Sequence, residues 1–193
     1  MPRPLRVDYE GAWHHVMNRG AARSAILSSD ADKQLLLDCL VEGADRYSVE
    51  LHGYCLMSTH YHALVRSAAS QLSGALRFAS GKFTRVKNKR DGRDGPLFRG
   101  RFTSVGIAMD AHLLQASRYI HLNPVAAGLI TRAEQWPWSS AAAYLGQVKT
   151  PNWLHTNPIL DMCGPTNSVE NYNALLMAGI DPTSCEFYSR LAG

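Results

Sequence analysis

No stretch of this sequence approaches the ~20 consecutive apolar residues that a membrane-spanning helix requires. The amino-terminal Met1-Pro-Arg-Pro-Leu-Arg6 also lacks the apolar core of a secretory signal. Neither membrane insertion nor export is expected. Cysteine is scarce: Cys39, Cys55, Cys163 and Cys185 lie far apart, and none belongs to a Cys-x-x-Cys pair. A disulfide framework is therefore not expected, and the reducing cytoplasm is the simplest compartment. Internal repeats and low-complexity tracts are missing as well.

What is present is the composition of an ordinary globular chain, 46% hydrophobic and 19% charged over 193 residues, enough for one core with an appendage. A net charge of +4 conceals an asymmetry. Between Arg77 and Arg101 nine basic residues face two acidic ones, a balance of +7, while the remainder carries eleven basic and fourteen acidic residues, or -3. Concentrating the excess positive charge in one segment favours a polyanionic partner.

Read in order, Gly11 to Gly20 has the pattern of a first strand, in which His14 and His15 fall on opposite faces. Ser28-Ser29-Asp30 caps a helix of roughly fifteen residues that runs to Tyr47. Val49–Met57 and His60–Arg66 read as a hairpin around Ser58-Thr59, a pair without the Asn-Gly signature of favoured two-residue turns. Ser70–Arg90 is amphipathic: Leu72, Ala75, Leu76, Ala79, Phe83 and Val86 form a stripe, with Arg77, Lys82, Arg85 and Lys89 clear of it. A fourth strand is expected over Leu97–Ile107, and a third helix over Ala111–Asn123, ended by Pro124.

The order strand, helix, strand, strand, helix, strand predicts an α+β, ferredoxin-like antiparallel sheet (split βαβ) with helices on one face and an added helix carrying Tyr119. One domain over 1–146 is expected, followed by a partly helical appendage over 147–193 with one more helix near Val169–Ala178.

Two features carry chemistry. On an extended strand His60 and His62 project from the same face, a metal- or phosphate-binding pair that needs a third group. On the third helix Tyr119 and Asn123 are four residues apart and share a face, so a phenol and an amide point at one place while His121 points away.

The blocks Gly53-Tyr-Cys-Leu-Met-Ser-Thr-His-Tyr-His-Ala-Leu-Val65, Gly95-Pro-Leu-Phe-Arg-Gly-Arg-Phe102, Arg118-Tyr-Ile-His-Leu-Asn-Pro-Val125 and Trp136-Pro-Trp-Ser-Ser140 resemble the single-tyrosine transposases of the His-hydrophobe-His endonuclease superfamily. Within it, the REP-associated tyrosine transposases are most similar. The similarity covers about residues 1–145. Ser58-Thr59 departs from the Pro-Asn common before the first histidine in that family.

The resemblance implies that His60, His62 and Asn123 bind a divalent metal, with Mg²⁺ or Mn²⁺ expected, although the nitrogen ligands alone suit Zn²⁺ equally. It implies that Tyr119 attacks a phosphodiester of single-stranded DNA beside a palindromic hairpin, leaving a 5′-phosphotyrosine and a free 3′-hydroxyl. Arg77, Lys82, Arg85, Lys89, Arg99 and Arg101 would track phosphates, with Trp13, Tyr61 and Phe98 as stacking candidates. The chain would be a monomer or a homodimer. Two other classes remain open, a hairpin-binding protein that does not cut and a His-x-His metallohydrolase in which Tyr119 is incidental.

Overall fold

The computed structural model describes residues 7–108 and 110–179. Strands β1 (Ala12–Arg19), β2 (Val49–Leu56), β3 (His60–Ser67) and β4 (Thr103–Ile107) form one sheet in the order β2-β3-β1-β4, and every neighbouring pair is antiparallel. With α1 (Asp30–Arg46) between β1 and β2, and α2 (Leu72–Asp91) between β3 and β4, this is the ferredoxin-like split βαβ arrangement.

Alternation along β3 assigns the two faces. Tyr61, Ala63 and Val65 pack with Leu36, Leu40, Leu76 and Phe83 of α1 and α2, whereas Leu64, on the side of His60 and His62, packs with Leu113, Ala116 and Ile120 of α3 (Asp110–Ala126). The added helix therefore covers the face that α1 and α2 leave bare. His52 is an extra residue in β2, where Leu51 pairs with Val65 and Gly53 with Leu64. This bulge shifts the alternation by one, so Val49, Leu51, Tyr54 and Leu56 all reach the α1–α2 core.

Helix ends follow local chemistry. Ser29 and Asp32 form a reciprocal capping box at the start of α1, and Gly92, in the left-handed region at φ 61°, closes α2. The α1 and α2 helices approach closely at Gly43, where a Cβ would stand 2.8 Å from the Ala75 carbonyl oxygen.

Two expected boundaries are corrected. The α3 helix does not stop at Pro124 but runs through it to Ala126. There Gly128 N–H donates to the Val125 carbonyl at 2.9 Å and Leu129 N–H to the Pro124 carbonyl at 3.0 Å, with Gly128 at φ +69°. This is a Schellman closure. The proline removes one donor but leaves the terminal carbonyls satisfied. The fourth strand begins at Thr103, not Leu97. Leu97, Phe98 and Phe102 are all buried in the α1–α2 core, a pattern without alternation. A Gly20–Phe98 bridge joins that segment to the end of β1.

Past α3 the chain covers the free edge of β2. Leu56 N–H donates to the Trp138 carbonyl at 2.9 Å, and His155 N–H to the Leu51 carbonyl at 2.9 Å. The α4 (Ala141–Tyr144), α5 (Asn157–Leu160) and α6 (Ser168–Met177) helices then supply Tyr144, Ile159, Tyr172 and Leu176 to the core under α3.

Candidate active site

The Ser58-Thr59 turn is weak in sequence, and its position is fixed from outside. Gly20 N–H donates to the Thr59 carbonyl at 2.8 Å and Leu27 N–H to the Ser58 carbonyl at 2.9 Å, while Met57 N–H closes onto the His60 carbonyl at 2.8 Å. His60 thus starts β3 in a defined place, with His62 two residues on, beneath α3.

Asn123 lies between the two imidazoles. Its Oδ1 is 3.3 Å from His60 Nε2, and its Nδ2 is 3.3 Å from His62 Nε2. One helical turn earlier, the Tyr119 ring stands edge-on to His62 at 5.5 Å between centroids and to His15 at 5.8 Å. His62 is fully buried and Tyr119 is 6% exposed. His121 points away as expected: its Nε2 is 2.7 Å from Ser140 Oγ and its Nδ1 is 2.6 Å from Tyr172 Oη.

Burial keeps these imidazoles neutral. Desolvation lowers His15 to about 3. Desolvation and then the neighbouring His15 and His60 hold His62 well below its ordinary range. His60 is lowered by desolvation, partly offset by its hydrogen bond to Asn123, with a further lowering from the Arg19 charge. Neutral rings carry one N–H and one lone pair each, and one proton arrangement satisfies every contact. Thr59 Oγ1–H donates to His60 Nδ1 at 3.0 Å, His60 Nε2–H to Asn123 Oδ1, Asn123 Nδ2–H to His62 Nε2, and His62 Nδ1–H to His15 Nε2 at 2.9 Å.

The donor chemistry fits a divalent cation. With His60 in its other neutral tautomer, Nδ1–H donating to Thr59 Oγ1, two imidazole Nε2 lone pairs and an amide oxygen converge, and Thr59 and His15 at the distal nitrogens fix the ring orientations. Among the described residues no group of three His, Cys, Asp or Glu side chains is arranged to hold a metal alone. A third donor beside His60 and His62 would have to be the Asn123 amide oxygen.

The sequence matches no model of a known protein family and no curated protein. Among solved structures, a REP-associated tyrosine transposase bound to a REP hairpin superposes with a TM-score of 0.66 at 19% identity, over 80% of this chain and 92% of that one. The chain has the fold of that transposase. A candidate transposase from Deinococcus radiodurans (TM-score 0.43, 13% identity, 67% of this chain and 98% of that one) also matches. So does the tRNA(His) guanylyltransferase of Saccharomyces cerevisiae (0.47, 12%, 94% and 83%). Both scores are too low to add to the assignment.

Within this fold the expected site residues form separate groups. His60, His62, Tyr119 and Asn123 come together. Arg77, Lys82, Arg85 and Lys89 lie on α2, which packs on the opposite face of the sheet, and Lys82 is ion-paired to Glu42 of α1. Arg99 and Arg101 belong to the loop that meets the end of β1, where Arg99 N–H donates to the Arg19 carbonyl at 2.9 Å. Tyr61 and Phe98 are core residues and cannot stack on bases; Trp13 is half-buried, 4.2 Å from the His52 ring.

Sequence left open that one of His14 and His15 lies near the site without saying which; it is His15. Its parity in β1 was legible, but its meeting with His62 depends on the β1–β3 register, in which His15 lies opposite Leu64 and Met17 opposite His62. His14, on the other face, meets Ser104 Oγ at 3.0 Å and Asp8 at 3.3 Å.

Proposed function

We propose that this chain is a metal-dependent, transposase-like endonuclease that nicks and rejoins single-stranded DNA through a 5′-phosphotyrosine. The observation that carries this reading is the convergence of His60, His62 and Asn123 beside Tyr119, drawn from β3 and α3. Tyr119 Oη attacks the phosphorus, the bond to the 3′ oxygen breaks, the phenolic proton passes to a base, and a strand ending in a 3′-hydroxyl is released. The reverse attack by a 3′-hydroxyl rejoins strands without ATP, because the phosphotyrosine keeps the ester bond. A divalent cation held by His60, His62 and Asn123, with Mg²⁺ or Mn²⁺ expected, would offset charge on the non-bridging oxygens and on the leaving 3′ oxygen. Neutral imidazoles leave that charge undiminished.

The DNA would be a single strand beside a hairpin; the structurally similar transposase was solved bound to a REP hairpin. The exposed Arg77, Arg85 and Lys89 of α2 are available to duplex that extends past the sheet, away from the cutting site. No helix among the described residues is long and apolar enough to cross a membrane, and action in the cytoplasm fits a DNA substrate.

The test is incubation with short single-stranded oligonucleotides bearing palindromes from the DNA flanking the gene, with Mg²⁺ or Mn²⁺. The expected product is an SDS-resistant protein–DNA species whose adduct maps to Tyr119 by mass spectrometry. Tyr119→Phe should bind the strand, fold normally and give neither cut nor adduct. A cut without an adduct would make the site a metallohydrolase, and binding without a cut would make the protein a hairpin-binding module.

A further inference from the structure

The end of β1 gathers arginines that lie far apart in the chain. Arg19 pairs across the sheet with His60. Its carbonyl accepts from Arg99 N–H at 2.9 Å, Ala21 N–H donates to the Leu97 carbonyl at 2.8 Å, and Asn18 Nδ2 reaches the Gly100 carbonyl at 3.2 Å. The chain after Gly20 then folds back tightly. A Cβ at position 20 would stand 2.3 Å from the Ser24 carbonyl oxygen, and Ala22 and Arg23 both take the left-handed region at φ 51° and 58°. Two non-glycine residues in that region are strained.

The antiparallel Gly20–Phe98 bridge sets Arg99 across from Arg19, and Arg23 sits on the loop that folds back after Gly20. Burial, then the charges of Arg99 and Arg23, disfavour the charged form of Arg19. Arg23 and Arg99 are exposed and Arg19 is half-buried. Among the described residues no carboxylate forms an ion pair with Arg19 or Arg23. Like charges set side by side on neighbouring backbone draw an anion.

We infer that Arg19, Arg23 and Arg99 form a phosphate-binding subsite for single-stranded DNA, directly beside His60, through which the strand enters the cutting site. The inference deepens the reading of His60, His62 and Tyr119 as a strand-cutting centre. Tyr119 lies toward His62 and His15, and Arg19 lies opposite His60 on β1. The two therefore flank the histidine pair from opposite ends. A backbone gripped by the arginines runs along the row of histidines toward the nucleophile.

Fluorescence anisotropy tests this with a labelled oligothymidylate in EDTA over a series of KCl concentrations, so that neither metal nor cleavage contributes. Changing Arg19, Arg23 and Arg99 together to Gln should weaken binding and lower the log–log salt slope by about two, at roughly 0.7 per phosphate contact on a single strand. Arg77, Arg85 and Lys89 changed to Gln should leave that slope near wild type. An unchanged slope in the first variant, or an equal loss in both, overturns the inference. If the triple variant does not fold, Arg23→Gln alone should lower the slope by about 0.7, and no change in it counts equally against the subsite. A Tyr119 adduct in wild type with an unchanged slope in the variant overturns this inference alone. A lowered slope with no adduct overturns the cleavage reading alone.

Discussion

Asn123 hydrogen-bonds both candidate metal-binding imidazoles through the two ends of one amide, so a single side chain sets their spacing. Replacing His60 or His62 by Ala removes one donor from this set while the strand register around it persists. Each variant is expected to lose divalent-ion-dependent cleavage and keep the wild-type circular dichroism spectrum; full turnover by either would contradict the metal assignment. His15 makes a subtler prediction. His15→Phe preserves a buried ring against Tyr119 but removes the acceptor for His62 Nδ1–H. Outer partners of this kind contribute roughly 10- to 100-fold to metal affinity, so Mn²⁺ titration calorimetry should show a loss of about that size. Wild-type affinity in His15→Phe would mean that His15 only fills space.

Among the elements, α3 is the one on which the site depends, since it carries both Tyr119 and Asn123. Its last turn is closed at Gly128 in the left-handed region, and Gly128→Ala is expected to reduce stability by about 1 kcal/mol, read from the urea midpoint. The antiparallel α1–α2 pair is fastened by a buried carboxylate. Burial alone would raise the pKa of Asp32, but hydrogen bonds from Arg90, Lys87 and the Ser29 backbone outweigh that and hold it well below the usual carboxylate range. A pKa lower in the folded than in the unfolded state adds stability above the unfolded value near ~4. That contribution fades as pH falls below it, and Asp32→Asn should flatten the acid side of the stability–pH curve. The exposed cations of α2 should matter for hairpin DNA more than for oligothymidylate, and Arg77, Arg85 and Lys89 changed to Gln should lower the salt slope only with the former. The elements were legible because alternation in β3 and the apolar stripe of α2 are strong local signals. The ends of α3 and β4 were not, because Pro124 is outweighed by a closure four residues later, and Phe98 and Phe102 are buried without forming a strand.

For the molecule as a whole, the described residues past 146 contribute Ile159, Tyr172 and Leu176 to the core under α3. Tyr172 is fully buried, and its hydroxyl meets both Ser117 Oγ at 2.5 Å and His121 Nδ1 at 2.6 Å. Tyr172→Phe leaves those groups without that partner and is expected to destabilise by about 1–3 kcal/mol. Scanning calorimetry of the full chain should give a single transition, and two separated peaks would mean that the appendage melts by itself. Sequence showed which residue types could do chemistry at positions 60, 62, 119 and 123, because each pair shares a face within one element. The arginine cluster and His15 were hidden, because they are joined only by pairing between distant strands and loops.

The support of the Ser58-Thr59 turn by Gly20 and Leu27 bears on the order of events during synthesis. Its donors come from the loop after β1, and the tyrosine and amide arrive more than fifty residues after the histidines. Closing such long loops is slow relative to local structure. A growing chain on the ribosome would therefore hold its histidines apart from Tyr119 until α3 has emerged and docked, and under the proposed function it would leave nearby DNA uncut until it is complete.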